Sequence, residues 1–159
     1  MSDNRFTDPA PSAKNVWSGV LFGIGLMALI DEIIFHQLLQ WHHFYDRSTP
    51  YAGIFTDGLL NAFALFAIVS GLFMFADLHR KHTIHMMRWI ASVLIGSGGF
   101  QLFDGIINHK VLQIHKVRYG VDILPYDLAW NTFGALLLIA GIVLFLKFKK
   151  QYGRRRAEG

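Results

Sequence analysis

Two stretches of this chain place the same aspartate and histidines inside apolar sequence. Residues 23–42 read GIGLMALIDEIIFHQLLQWH and residues 96–115 read GSGGFQLFDGIINHKVLQIH, with ten of the 20 positions identical at a constant offset of 73. The matching polar pairs are Asp31/Asp104, His36/His109, Gln40/Gln113 and His42/His115. Ionisable groups are costly next to lipid, so within membrane segments they usually mark a functional interior. The paired segments therefore indicate where this protein acts.

Four apolar runs lie at about residues 16–39, 57–76, 87–108 and 127–148. Each has the ~20 residues that a helix needs to cross ~30 Å of hydrocarbon. The chain contains no cysteine, which excludes disulfides, thiolate metal sites and cysteine nucleophiles. We predict an all-α, four-span membrane protein.

The positions of the basic residues predict an orientation. Eleven of the 15 Lys and Arg residues fall at 5–14, 80–88 and 147–156, and four lie in the other two loops. The positive-inside rule then places both termini and the middle loop on the cytoplasmic side of the membrane. The basic tail KFKKQYGRRR is typical of topology control or contact with anionic lipid, so we do not predict nucleic-acid binding.

A second set of matches, at an offset of 70, extends the correspondence into the following runs. The residues are Asp57/Asp127, Asn61/Asn131, Phe63/Phe133, Gly71/Gly141 and Phe75/Phe145. The chain therefore reads as two helical hairpins, 16–76 and 89–146, related as parallel repeats in one four-helix bundle. We divide the chain into a polar arm at 1–14, a membrane domain at 15–148 and a basic tail at 149–159. The glycine-lined spans are compatible with a homo-oligomer, because small residues allow close packing of membrane helices.

The matched polar residues all lie toward the outer ends of the spans. An antiparallel hairpin brings the end of one span beside the start of the next, so acids, imidazoles and amides converge there. The candidate site comprises Asp31, His36, His42, Asp57, Asn61, Asp104, His109, His115, Asp127 and Asn131. On an ideal α-helix Asp31 lies about 140° from His36, so the two serve different partners unless the helix is locally distorted. Glu32 is matched by Gly105, so a symmetric site cannot depend on Glu32.

Imidazole with carboxylate suits a metal ion such as zinc, copper or iron, and this is the function that the residues favour. His36 and His109 are also the pair that would ligate a haem iron axially, as a narrower variant. The alternatives are a proton, ion or small-solute transporter, and a structural protein in which polar contacts only align helices. No nucleophile motif indicates an enzyme.

The segments DEIIFHQLLQWHH and GGFQLFDGIINHKVLQIHKVR, with the D-x3-N-x-F starts of spans two and four, resemble an uncharacterised bacterial family of four-span membrane proteins, a domain of unknown function. The resemblance covers about residues 15–148. Members of that family are sometimes joined to an oxidase-assembly domain of the kind associated with copper delivery. The resemblance therefore implies the lipid bilayer and a respiratory or oxidase-assembly protein as partners, and it supplies no catalytic residues.

Overall fold

A computed structural model describes residues 12–158, and the side chains of residues 12–154. Over this range the chain is helical, with no strand. The elements are α1 (Ala13–Asp31), the π-helix π1 (Glu32–Leu38), α2 (Pro50–Arg80), α3 (Met86–Leu102), the π-helix π2 (Phe103–Val111) and α4 (Leu124–Glu158). Each of the four helical stretches is long and apolar enough to cross a membrane, which confirms the predicted all-α, four-span bundle.

The helix ends differ from the apolar runs for local reasons. α2 begins at Pro50, seven residues before the predicted run, because the Thr49 side chain caps it by accepting from the Ala52 N–H at 3.3 Å. Proline is also favoured in the first turn of a helix. α4 continues past residue 148 into the basic tail, and most of the predicted N-terminal arm, residues 1–11, lies outside the described part of the chain.

The bundle is built on a central pair of helices. α1 packs against α2 and α3, and α3 packs against α4. Glycines bring the central pair into backbone contact, because a Cβ on Gly23 would lie 2.2 Å from the Val93 carbonyl oxygen and one on Gly96 would lie 2.3 Å from that of Val20. The Ser97 hydroxyl donates to the Gly23 carbonyl at 3.1 Å across the same contact.

α2 and α4 flank the central pair and carry large exposed apolar side chains. Phe63, Phe66 and Phe73 of α2 are exposed, as are Leu136 and Leu146 of α4. Exposure on this scale is unfavourable in water and is expected of a surface in contact with lipid. The two long loops, 39–49 and 112–123, lie at the same end of the bundle, which we call the long-loop end.

Both central helices change their winding as they approach the long-loop end. In π1 the Leu39 N–H bonds to the Ile34 carbonyl at 2.9 Å, and in π2 the Leu112 N–H bonds to the Ile107 carbonyl at 2.7 Å. These are hydrogen bonds between residues five apart, which define a π-helix. Each π-helix is followed by a glutamine in the left-handed region, at φ 50° for Gln40 and 49° for Gln113.

Candidate metal centre

The first group of potential ligands consists of Asp31, His36 and His42, which we call the first triad. All three are buried, and each has a ligand atom within 4.8 Å of the others'. His36 Nε2 lies 3.0 Å from His42 Nε2 and 3.8 Å from Asp31 Oδ2. Two imidazoles and one carboxylate therefore converge on one point.

The second triad consists of Asp104, His109 and His115, the positions that match the first triad at an offset of 73. The Asp104 carboxylate faces both rings, with Oδ2 2.9 Å from His109 Nε2 and Oδ1 3.4 Å from His115 Nε2. Asp104 Oδ2 and both of these Nε2 atoms are buried, and among the described residues none of them makes a contact with regular hydrogen-bond geometry. Buried polar atoms are almost always paired, so three facing each other require a physical explanation.

The π-helices bring the aspartate and the first histidine of each triad together. An α-helix would separate residues five apart by about 140°, whereas the wider turn of a π-helix reduces this angle. Asp31 and His36 are five apart, as are Asp104 and His109. The local distortion on which their convergence depended is therefore a π-helix in both halves. π-helices are rare and occur often at functional sites.

The second histidine of each triad is fixed by the opposite loop. His42 Nδ1 lies 2.9 Å from the Val117 carbonyl oxygen, and His115 Nδ1 lies 2.8 Å from that of Phe44. A carbonyl only accepts, so each Nδ1 carries the proton and donates it. In the neutral ring each Nε2 then presents a lone pair to its own triad. Held in this way, His115 Nε2 and Asp104 Oδ1 are two electron-pair donors that face each other.

The Nδ1 atoms of His36 and His109 face carboxylates instead. His36 Nδ1 lies 2.7 Å from Glu32 Oε2 and 3.2 Å from Asp57 Oδ1, while His109 Nδ1 lies 4.0 Å from Asp127 Oδ1. Histidines that bind metals usually direct their second nitrogen at a carboxylate or a backbone carbonyl, which sets the tautomer and the ring orientation. His36, His42 and His115 have that arrangement at 2.7–2.9 Å, and His109 has it only at the longer distance of 4.0 Å.

The two triads form one continuous cluster of imidazoles. The rings of His42 and His115 stack with centroids 4.6 Å apart and an interplanar angle of 8°. His36 lies 4.5 Å from His42, and His109 lies 4.7 Å from His115, again between ring centroids. Any ions bound by the two triads would therefore be close neighbours.

The cluster buries five carboxyl groups. Asp31, Glu32, Asp57, Asp104 and Asp127 are each at most 5% exposed. Lys110 forms an ion pair with Asp127, whereas the other four carboxylates have no lysine or arginine partner among the residues that the structure describes. Burying uncompensated carboxylates is strongly unfavourable, so this centre needs cations or protons.

His42 lies in the loop after π1, outside the membrane span. Burial, followed by repulsion from the neighbouring His115, lowers the pKa of His42 to about 2. The ring is therefore neutral throughout the physiological range. Neutral imidazole is the form that binds metals.

The two predicted asparagines lie at the edge of the cluster. Asn61 Nδ2 donates to Glu32 Oε1 at 3.3 Å, whereas Asn131 Nδ2 donates to the Asp127 carbonyl within its own helix. A Cβ on Gly105 would lie 2.5 Å from Asn131 Oδ1, so this glycine leaves room for the amide. Asp57 and Asp127 face the outer nitrogens of His36 and His109 rather than the triad interiors.

Sequence reasoning gave too little weight to Glu32, His43 and Lys110. Glu32 contacts His36, and His43 Nδ1 lies 2.6 Å from Asp57 Oδ2, while Lys110 pairs with Asp127. Their matched positions hold different residues, and a search for identical pairs overlooks them for that reason. A comparison of the charge at matched positions, which are Gly105 for Glu32 and Lys116 for His43, would have found them.

The profile of a family described as predicted membrane protein (DUF2243) matches residues 18–148. The chain belongs to this family. The match spans all four membrane helices and both triads, and it confirms the predicted membership of an uncharacterised four-span membrane family. No curated protein and no solved structure matches the chain. What this DUF2243 protein does must therefore be argued from its own residues.

Proposed function

We propose that this DUF2243 protein binds two transition-metal ions, one in each His-His-Asp triad. The proposal rests on the convergence of two imidazole nitrogens and one carboxylate in each triad. The other nitrogen of each of the four imidazoles faces an oxygen. Two histidines and one carboxylate form a known ligand set for zinc and for non-haem iron, with positions left open for a further ligand. His36, His42, His109 and His115 would bind through Nε2, and Asp31 and Asp104 through a carboxylate oxygen.

The charge of the site supports two divalent ions. Four buried carboxylates remain after Lys110 compensates Asp127, and two divalent cations would balance these four groups in their ionised form. A cation between Asp104 and His115 would also turn a contact between two electron-pair donors into a pair of coordinate bonds. Metal binding therefore accounts for the charge and for the unpartnered atoms together.

The geometry favours single ions over haem. An iron ligated by both His36 and His109 would need a flat slot between these rings. The imidazoles of His42 and His115 lie in series between them, with successive centroids 4.5, 4.6 and 4.7 Å apart. Zinc, copper and iron all suit the ligands, and delivery, sensing and electron transfer are the roles open to such a centre.

Passage of ions through the bundle is less well supported than binding. The triads lie at the long-loop end, and toward the other end α1 and α3 approach through glycines at backbone contact. Helix alignment alone is also an incomplete explanation, because the buried atoms His109 Nδ1 and Asp127 Oδ1 lie 4.0 Å apart and have no hydrogen-bond partner among the described residues. Polar groups whose only role was alignment would be expected to bond to each other.

The duplication of the hairpins, the orientation in the membrane and the partners also belong to the proposal. We infer that the two hairpins arose by duplication and that the long-loop end faces outward from a bacterial inner membrane. Support comes from the sequence matches, from the distribution of basic residues and from the equivalent π-helices. A respiratory or oxidase-assembly protein is the partner we propose, and a homo-oligomer is compatible with the glycine-lined helices.

The test is metal binding by purified protein that carries no histidine tag. After chelation and dialysis, zinc is titrated in competition with a chromogenic chelator into wild type, His36→Ala/His42→Ala and His109→Ala/His115→Ala. We expect two equivalents for wild type and one for each double variant. His79→Ala/His82→Ala, at the other end of the bundle, is the matched control and should retain two. Full zinc stoichiometry in all the variants would refute the assignment.

A further inference from the structure

A polar vestibule connects the second triad to the surface at the long-loop end. The cavity has a volume of about 600 Å³, within the ~300–1,000 Å³ range of small-molecule sites. It lies between the two long loops, the end of π2 and the start of α4. The lining residues used below are Arg47, His109, Lys110, Lys116 and Asp127.

The vestibule reaches a buried ligand of the second triad. His109 lines it but is only 6% exposed, and its Nδ1 has no hydrogen-bond partner within the protein. Asp127 Oδ1, 4.0 Å from that nitrogen, also lines the cavity and is also unpartnered. Buried polar atoms are almost always paired, so an imidazole nitrogen without a partner at the base of this cavity suits a ligand that enters from the surface.

The walls of the vestibule are basic. Arg47, Lys110 and Lys116 line it, against the carboxylates of Asp46 and Asp127. Lys110 already neutralises Asp127, and the Arg47 guanidinium donates to the Gln113 carbonyl at 2.5 Å, which holds it at the rim. Three cations against two carboxylates leave a net charge of +1 on the walls, which favours an anion at the rim.

The matched positions around the first triad differ in charge. Lys110 corresponds to Gln37, and Lys116 corresponds to His43. Gln37 donates to Glu32 at 2.7 Å and His43 contacts Asp57 at 2.6 Å, so both residues close the side of the first triad with polar contacts. The two lysines of the walls are thus specific to the second half of the chain.

We propose that the vestibule binds a small organic polycarboxylate anion that carries the metal ion to the second triad. This inference rests on the proposed metal-binding function and specifies its substrate as an anionic chelate. Lys110, Lys116 and Arg47 supply charge-assisted hydrogen bonds to carboxylates, and the open positions of a His-His-Asp site accept a carboxylate oxygen. The cavity volume suits an organic acid better than an inorganic ion.

The test uses zinc and radiolabelled citrate as probes, in equilibrium dialysis against the full-length protein in detergent. We expect citrate to bind zinc-loaded wild type. In Lys110→Gln/Lys116→His, which introduces the residues of the first half, citrate affinity should fall about tenfold or more, the loss expected for removed charged hydrogen bonds. Zinc titrated without citrate should bind Lys116→His, a substitution at an exposed position, as tightly as wild type.

Lys147→Gln/Lys149→Gln is the control for a general loss of charge, and it should bind citrate normally. Lys116→His alone, at an exposed position, serves if the double variant does not fold, with a smaller loss expected. The inference is overturned if Lys110→Gln/Lys116→His and Lys116→His bind citrate as tightly as wild type. It is also overturned if wild type binds zinc but no citrate. Competition by phosphate as effective as by citrate would assign the vestibule to inorganic anions and overturn the polycarboxylate. Failure of wild type to bind zinc in the absence of citrate would instead refute the proposed function.

Discussion

Glu32 offers a specific test of how the first triad is tuned. Its Oε2 lies 2.7 Å from His36 Nδ1, and Asp57 Oδ1 approaches the same nitrogen at 3.2 Å. Loss of such an outer partner typically weakens metal binding by ~10–100-fold. Because Asp57 remains in Glu32→Gln, we expect a loss near tenfold, which corresponds to ~1.4 kcal/mol. In Glu32→Gln/Asp57→Asn the loss should approach ~100-fold, or ~2.8 kcal/mol.

The measurement needs each triad in isolation. Zinc affinity is determined by chelator competition in a His109→Ala/His115→Ala background, where only the first triad can bind. The matched control places Glu32→Gln in a His36→Ala/His42→Ala background. There the second triad should bind zinc unchanged, because Gly105 occupies the position that corresponds to Glu32. An unchanged first-triad affinity in the Glu32/Asp57 double variant, with the thermal melt intact, would refute this account of His36.

Three further predictions concern packing, pH and orientation. Gly96→Ala should lower the melting temperature, because the new Cβ meets a backbone carbonyl of α1 and overpacking costs ~1–3 kcal/mol. Gly99→Ala is the control and should leave the melting temperature unchanged, because no atom lies within 4 Å of its Cβ. Metal-free protein should lose thermal stability as the pH falls below the ordinary histidine pKa of 6.5, because His42 has a pKa of about 2 when folded and takes up a proton more readily when unfolded. His42→Gln should reduce the slope of unfolding free energy against pH by up to about 1.4 kcal/mol per pH unit. In this cysteine-free chain, Ser48→Cys should react with an impermeant thiol reagent in whole cells, whereas Thr83→Cys should be protected.

Each of these has a contrary outcome. Equal melting temperatures for Gly96→Ala and Gly99→Ala would contradict backbone contact between α1 and α3. The same pH profile for His42→Gln and the parent would contradict a buried neutral ring at that position. Labelling at Thr83→Cys with protection at Ser48→Cys would reverse the proposed orientation.

The membrane helices were predictable because burial in lipid imposes a simple rule of length and apolar composition. The site was predictable in part, since matched polar residues identify every member of both triads. The π-helices were not predictable from these residues, because neither segment carries a proline or other signal that distinguishes π-winding from α-winding. An ideal helix therefore separates Asp31 from His36, although the fold brings them together.

The roles of the loop histidines also required the structure. His42 and His115 follow the spans, and their positions depend on the left-handed Gln40 and Gln113 and on carbonyls in the opposite loop. Contacts between residues about 71 to 75 apart cannot be inferred from local sequence. The partners of His36 were obscured for a different reason, because Glu32 breaks the match between the two halves.

The most direct measurement is X-ray absorption at the zinc edge on protein loaded with two equivalents of zinc. We predict a first shell of nitrogen and oxygen at ~2.0–2.1 Å, with the multiple scattering of about two imidazoles per zinc. The same spectrum from His36→Ala/His109→Ala should show about one imidazole per zinc. A shell of oxygen alone, or a spectrum that these substitutions leave unchanged, would contradict metal binding by the two triads.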